Sequence, residues 1–107
     1  MTTDFIRGHL EGLLLAVLVE GAGHGYALGQ RLVARSGGDL SVPEGSLYPA
    51  LQRLERGGLV TSSWAVAEGR RRRVYDLTSA GRRRASSASR DWRTFAAAVD
   101  RVMGGLA

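Results

Sequence analysis

Apolar residues recur along the first third of the chain at helical spacing. Leu10, Leu13, Leu14, Val17 and Leu18 follow the i, i+3, i+4, i+7, i+8 rule of an amphipathic helix. Leu15, Ala16 and Val19 widen that stripe, so this helix is expected to be buried on more than one side, with Gly21-Ala22-Gly23 as its stop. A second helix is predicted from about Gly25 to Ser36, with Leu28, Leu32 and Val33 inward, Arg31 and Arg35 outward, and Gly37-Gly38 at its end. Leu40-Ser41-Val42 reads as a short extended piece, because Pro43 disfavours helical geometry at Val42. A third helix follows. Ser41 and Glu44 have capping-box spacing, and Pro43 lies in the first turn, where a missing N–H is harmless. Leu47, Ala50, Leu51 and Leu54 make its buried face. Pro49 crowds the carbonyl of Gly45, which predicts a slight bend rather than a break.

The period then changes. Leu59 to Val66 and Arg72 to Leu77, rich in Val, Thr, Trp and Tyr, flank Ala67-Glu68-Gly69 and predict a β-hairpin. Tyr75 and Leu77 share its inner face, Asp76 points away, and Arg73 is in line to turn inward. Thr78 has the character of an N-cap for a long final helix. In that helix Ala85, Ala88, Trp92, Phe95, Val99, Val102 and Leu106 are spaced alternately three and four apart, which is a heptad seam. Such a seam packs either on the first helix of its own chain or on a two-fold partner, and the second is expected, with Leu14 joining it. The whole is mainly α with a small β-hairpin. The element order is that of a winged helix-turn-helix (residues 1–78) followed by a C-terminal dimerisation helix (residues 79–107).

Charge sharpens this picture. The 107 residues hold 15 Arg and no Lys against 10 acids, for a net charge of +5. Residues 43–84 hold nine Arg and four acids, 9 − 4 = +5, so the excess is local, as a polyanion-binding surface requires. Opposite its leucines the third helix shows Gly45, Ser46, Tyr48, Pro49, Gln52, Arg53 and Arg56, groups suited to base edges and phosphates. Glu68-Gly69-Arg70-Arg71-Arg72-Arg73 sets four guanidinium groups at the hairpin tip, and Arg70 to Arg72 are expected to meet phosphates. Arg82-Arg83-Arg84 is a second run, read equally well as a solvated turn.

Other chemistries are excluded or disfavoured. Without Cys there is no disulfide, thiolate metal site or cysteine nucleophile, and two His leave little for a metal, so no cofactor is expected. The carboxylates are scattered, Ser46 has no neighbouring His, and no Gly-rich loop follows a strand, so an enzyme is not expected. The apolar run Leu13 to Val19 is too short for a membrane span and lacks the basic leader of a signal peptide, so the chain reads as cytoplasmic. His24 is expected at a helix start, His9 at the surface, and Trp64 in packing. A winged helix binding protein or RNA without operator specificity is the alternative.

Several of these pieces together resemble a known family. His24-Gly25-Tyr26, Glu44-Gly45-Ser46-Leu47-Tyr48-Pro49-Ala50-Leu51, Arg53-Leu54-Glu55 with Gly58-Leu59-Val60, and Tyr75-Asp76-Leu77-Thr78 with Gly81-Arg82 are similar to the PadR family of transcriptional regulators. The resemblance covers roughly residues 8–84, and the short length with one C-terminal helix resembles its small subfamily. It implies a homodimer that reads a near-palindromic DNA operator, usually as a repressor. Tyr26, Ser46, Tyr48, Gln52, Arg53 and the wing from Gly69 through Arg70, Arg71 and Arg72 become the expected DNA contacts. The small subfamily also implies an aromatic or drug-like effector held between subunits near Trp92, which doubles as a seam residue with Phe95, Val99, Val102 and Leu106.

Overall fold

The computed structural model describes Ile6 and residues 8–104, so Leu106 lies outside the described residues. Helix α1 (Leu10–Leu18) buries Leu10, Leu14, Leu15, Val17 and Leu18. Of the residues expected to widen the stripe only Leu15 is buried: Ala16 is exposed, and Val19, at the C-cap, is 56% exposed. The carbonyls at the end of α1 and beyond lack helical partners, and this explains a correction. Arg31 does not point outward. Its guanidinium donates to the carbonyls of Val17 (3.2 Å), Gly21 (2.6 Å) and Ala22 (2.9 Å). Arg35 does stay exposed, reaching Glu20 at 3.2 Å.

Strand β1 (Gly23–His24) comes where the sequence showed only a helix stop, and residues 40–42 form a loop instead of the extended piece. Two residues are too short for any period to show, and β1 exists only because its backbone pairs with a distant strand. Helix α2 (Gly25–Arg35) starts at His24, whose Nδ1 accepts the Ala27 N–H at 3.2 Å, and buries Leu28 and Leu32. Helix α3 (Glu44–Arg56) runs unbroken through Pro49 and buries Leu47, Ala50, Leu51 and Leu54 as the spacing predicts. The capping box is not formed. Pro43, with no polar side chain, occupies the N-cap position, so Ser41 is two residues too far out to serve.

Strands β2 (Val60–Ala67) and β3 (Arg70–Leu77) form the wing, and the sheet order is β1-β3-β2, all antiparallel. The turn is two residues, not three. Glu68 and Gly69 have φ of 55° and 72°, the paired positive values of a type I′ turn, which suits the right-handed twist of the flanking strands. Tyr75 and Leu77 are buried and Asp76 is exposed, as alternation requires.

Helix α4 (Ser79–Met103) begins at a three-way joint. Thr78 Oγ1 accepts the Gly81 N–H at 3.0 Å and donates to the Gly58 carbonyl at 2.7 Å, and the Thr78 N–H donates to the Leu59 carbonyl at 3.1 Å. Gly81 is obligatory, since any Cβ there would collide with the Leu59 carbonyl oxygen. Farther on, Ala88 meets Gly12 of α1, 3.9 Å from where a Cβ would stand. The core lies between the helices and the inner face of the sheet, around Leu14, Leu15, Leu18, Leu28, Leu47, Leu51 and Val60. Burying each of these leucines is worth about 1.5–3 kcal/mol. Among the described residues no helix is long and apolar enough to cross a membrane.

Candidate nucleic-acid interface

The leucine face of α3 fixes where its other residues point. Gly45, Pro49, Gln52 and Arg56 are exposed on the opposite side. Glu44, Tyr48 and Glu55 lie on the flank toward the wing, while Ser46 and Arg53 lie on the flank toward α1. Arg53 accordingly sits 3.8 Å from Glu11 of α1, with both side chains about half exposed (48% each). Ser46 is half-buried. Of the residues expected to meet DNA, Tyr26, Tyr48, Arg70, Arg71 and Arg72 converge on one side of the molecule. Gln52 and Arg53 stand farther along α3, and Gly69 marks the wing tip.

Tyr48 owes its position to a glycine. A Cβ on Gly25 would stand 2.7 Å from the Tyr48 ring, so the phenol lies directly over the start of α2. Beside it, Tyr26 stacks on His24 with ring centroids 6.4 Å apart. A cleft of about 460 Å³ opens between Tyr26, Glu44, Tyr48, Arg70 and Arg72. A second, of about 280 Å³, is lined by His24, Tyr48, Trp64 and Arg70 to Arg73. Both run between the N-terminal half of α3 and the wing.

The four wing guanidiniums differ in their restraint. Arg70 and Arg71 are exposed. Arg72 is half-buried, its Nη2 3.9 Å from Glu68 Oε2, and its Nε is buried with no hydrogen-bond partner among the described residues. A buried donor left unpaired is costly unless a ligand completes it. Arg73 is turned toward the helices, where its Nε donates to Ser62 Oγ at 2.9 Å and Ser62 donates on to Glu55 Oε2 at 2.7 Å. Tyr75 lies in the same neighbourhood. Burial pushes its hydroxyl above the ordinary 10.0, Glu55 adds to that, and Arg73 opposes it.

Four residues that line the clefts, His24, Glu44, Trp64 and Arg73, are not among the DNA contacts expected from the sequence. Glu44 has capping spacing and opens the family motif in the sequence, and in the structure it lines the cleft beside Tyr26 and Tyr48. Trp64 was assigned to packing, yet it is 55% exposed. Its neighbour follows from the turn: a two-residue turn at 68–69 pairs 64 with 73, whereas a three-residue turn does not.

The C-terminal helix presents a separate surface. From Trp92 onward none of its described residues is buried, with Trp92 51%, Phe95 57% and Val102 78% exposed, and Val99 half-buried. Trp92 touches Phe95 (centroids 6.0 Å) and meets His9 edge-on at 5.3 Å; His9 is exposed, as expected, and also touches the indole. Leu14 does not belong to this surface. It is 0% exposed inside its own chain's core, so it has no area left to offer a second subunit. No cluster of potential metal ligands occurs among the described residues.

Known proteins resemble this chain over most of its length. The profile of the transcriptional regulator PadR-like family matches residues 14–87. Transcriptional regulator Rv3488 of Mycobacterium tuberculosis is 43% identical over 82 residues, 77% of this chain and 71% of that protein. A transcriptional regulator from Clostridium thermocellum has the same fold with TM-score 0.82 at 25% identity, covering 94% of this chain and 96% of that one. A PadR family transcriptional regulator from Eggerthella lenta gives TM-score 0.78 at 29% identity, covering 94% and 86%. The family profile thus spans α3, the wing and the start of α4, and the chain belongs to the PadR-like family of transcriptional regulators.

Proposed function

We propose that this regulator is a homodimeric repressor that works in the cytoplasm on a near-palindromic operator and is released by a small aromatic or drug-like ligand. The observation that carries the DNA reading is the pair of clefts between α3 and the wing, where Tyr26 and Tyr48 stand beside four guanidiniums. In this reading residues 1–78 are the DNA-binding unit and 79–107 the dimerisation helix. Tyr48, Ser46, Gln52 and Arg53 enter the major groove, Tyr26 supports them, and the wing from Gly69 through Arg70, Arg71 and Arg72 holds the flanking phosphates. The unpaired Nε of Arg72 then finds an acceptor in a phosphate oxygen. The exposed stripe of Trp92, Phe95, Val99 and Val102 supports the dimer, with Leu106 continuing its spacing. An aromatic ligand stacking on Trp92 at the two-fold axis would act on that same helix pairing.

The test is fluorescence anisotropy with labelled DNA from upstream of the protein's own gene, beside a scrambled duplex, each at two salt concentrations. A sequence-specific regulator binds the first at least ~10³-fold more tightly than the second. Equal and steeply salt-dependent binding to both would instead mean simple polyanion attraction, and would sink the operator reading.

A further inference from the structure

Trp64 has no task in the scheme above. An indole offers a large apolar area that normally ends in a core or an interface, yet this one stands on the wing more than half open to solvent. The register places it opposite Arg73 and places Val66, 78% exposed, opposite Arg71. One face of the wing therefore carries an indole, a valine and two guanidiniums. The guanidinium carbons of Arg71 and Arg73 lie 4.8 and 5.3 Å from the ring centroid, close enough for cation–π attraction. Arg73 is in turn anchored through Ser62 to Glu55. The same ring lines the 280 Å³ cleft with Tyr48, so it is continuous with the surface that faces the recognition helix.

A partner for this face must alternate apolar surface with negative charge at short intervals. A nucleic-acid strand does so, because each sugar lies between two phosphates. We propose that Trp64 is itself a DNA contact, its ring packing against a deoxyribose while Arg71 and Arg73 hold the neighbouring phosphates. The proposal rests on the DNA-binding reading of the clefts and adds a contact to it. Were the indole only a prop for the two arginines, its outer face would stay open to solvent in the complex.

The chain has two tryptophans, so the quenching of the unaltered protein less that of Trp64→Phe, each at saturating operator, reports Trp64 while leaving Trp92 in place. This difference in acrylamide quenching is compared with the same difference without operator, while anisotropy of the labelled DNA tracks complex formation in the same sample. The expected result is that quenching falls as the complex forms. In the otherwise unaltered chain, Trp64→Ala weakens operator binding about tenfold, the scale of one aromatic stacking contact, and Trp64→Phe recovers part of it. Trp64 is not a core residue, and far-ultraviolet circular dichroism verifies that the variants fold. Undiminished quenching in a complex that the DNA label shows to be formed overturns the proposal and leaves the DNA reading intact, even if Trp64→Ala loses affinity. Absence of any complex by the DNA label overturns both.

Discussion

At the scale of single residues, burial and charge make separate predictions. Tyr75 keeps its hydroxyl in the core, where desolvation first and Glu55 second hold its pKa above 10.0. The fold therefore favours the protonated phenol. Its contribution to stability is complete below pH 10, where the unfolded chain also holds the proton, and is lost as pH rises from 10 through the raised folded value. Melting temperature should fall in that alkaline window, and Tyr75→Phe should flatten the decline; an unchanged slope would remove Tyr75 as its source. Leu14 makes a second prediction. With no exposed surface, Leu14→Ala should cost about 3–5 kcal/mol in urea denaturation of the monomer unit without a specific effect on subunit association. The apolar spacing alone located Leu14 in a helix stripe, as it did Leu47, Leu51 and Leu54. It could not tell a chain's own core from an interface, since both demand the same residue types. Arg31 was illegible for a related reason. Its partners are carbonyls of Val17, Gly21 and Ala22, and backbone acceptors leave no mark in a side-chain pattern.

At the scale of elements, the wing is where local sequence and distant pairing meet. Alternation around Tyr75 and Leu77 exposed the hairpin. The turn length was missed because Ala67 looks like a turn residue but lies in β2, paired with Arg70. That one-residue difference decides which side chains face one another, and so hid the contact of Trp64 with Arg73. β1 was hidden more completely, because a two-residue strand is made by its partner β3 and not by its own composition. The wing's charge supports a direct test. Arg71 is exposed and makes no ion pair among the described residues, so Arg71→Ala should weaken operator and scrambled DNA alike. The slope of log affinity against log salt should flatten by about one unit. A slope identical to that of the unaltered protein would detach Arg71 from the phosphate track. Tyr48 lies on α3, the helix proposed to enter the major groove, and Tyr48→Ala should instead narrow the ratio between operator and scrambled DNA. Equal losses on both would make it a backbone clamp.

At the scale of the whole molecule, the fold class was open to reading because each helix and the hairpin announces itself by period and the order of elements is distinctive. The far half of α4 was legible as a seam, and the structure leaves that seam uncovered within one chain. Phe95→Glu and Val102→Glu should therefore lower the mass seen by sedimentation from dimer to monomer, and operator affinity should drop with it because one half-site contributes alone. A variant that remains dimeric would move the interface elsewhere. Molecular dimensions add a last point. The chain extends 52 × 27 × 20 Å, and its 25-residue last helix is a rod of roughly 38 Å. Thr78 and Gly81 clamp one end of that rod to the exits of α3 and the wing. The first half is also held along α1, at Ala88 and at Trp92, so the free arm is the 12 residues from Trp92 to Met103, roughly 18 Å, and a tilt of about 5° there moves the tip by only ~1.5 Å. If α3 and the wing bind DNA as proposed, a reseating of the far tip reaches them only through the joint at Thr78 and those holds along α1.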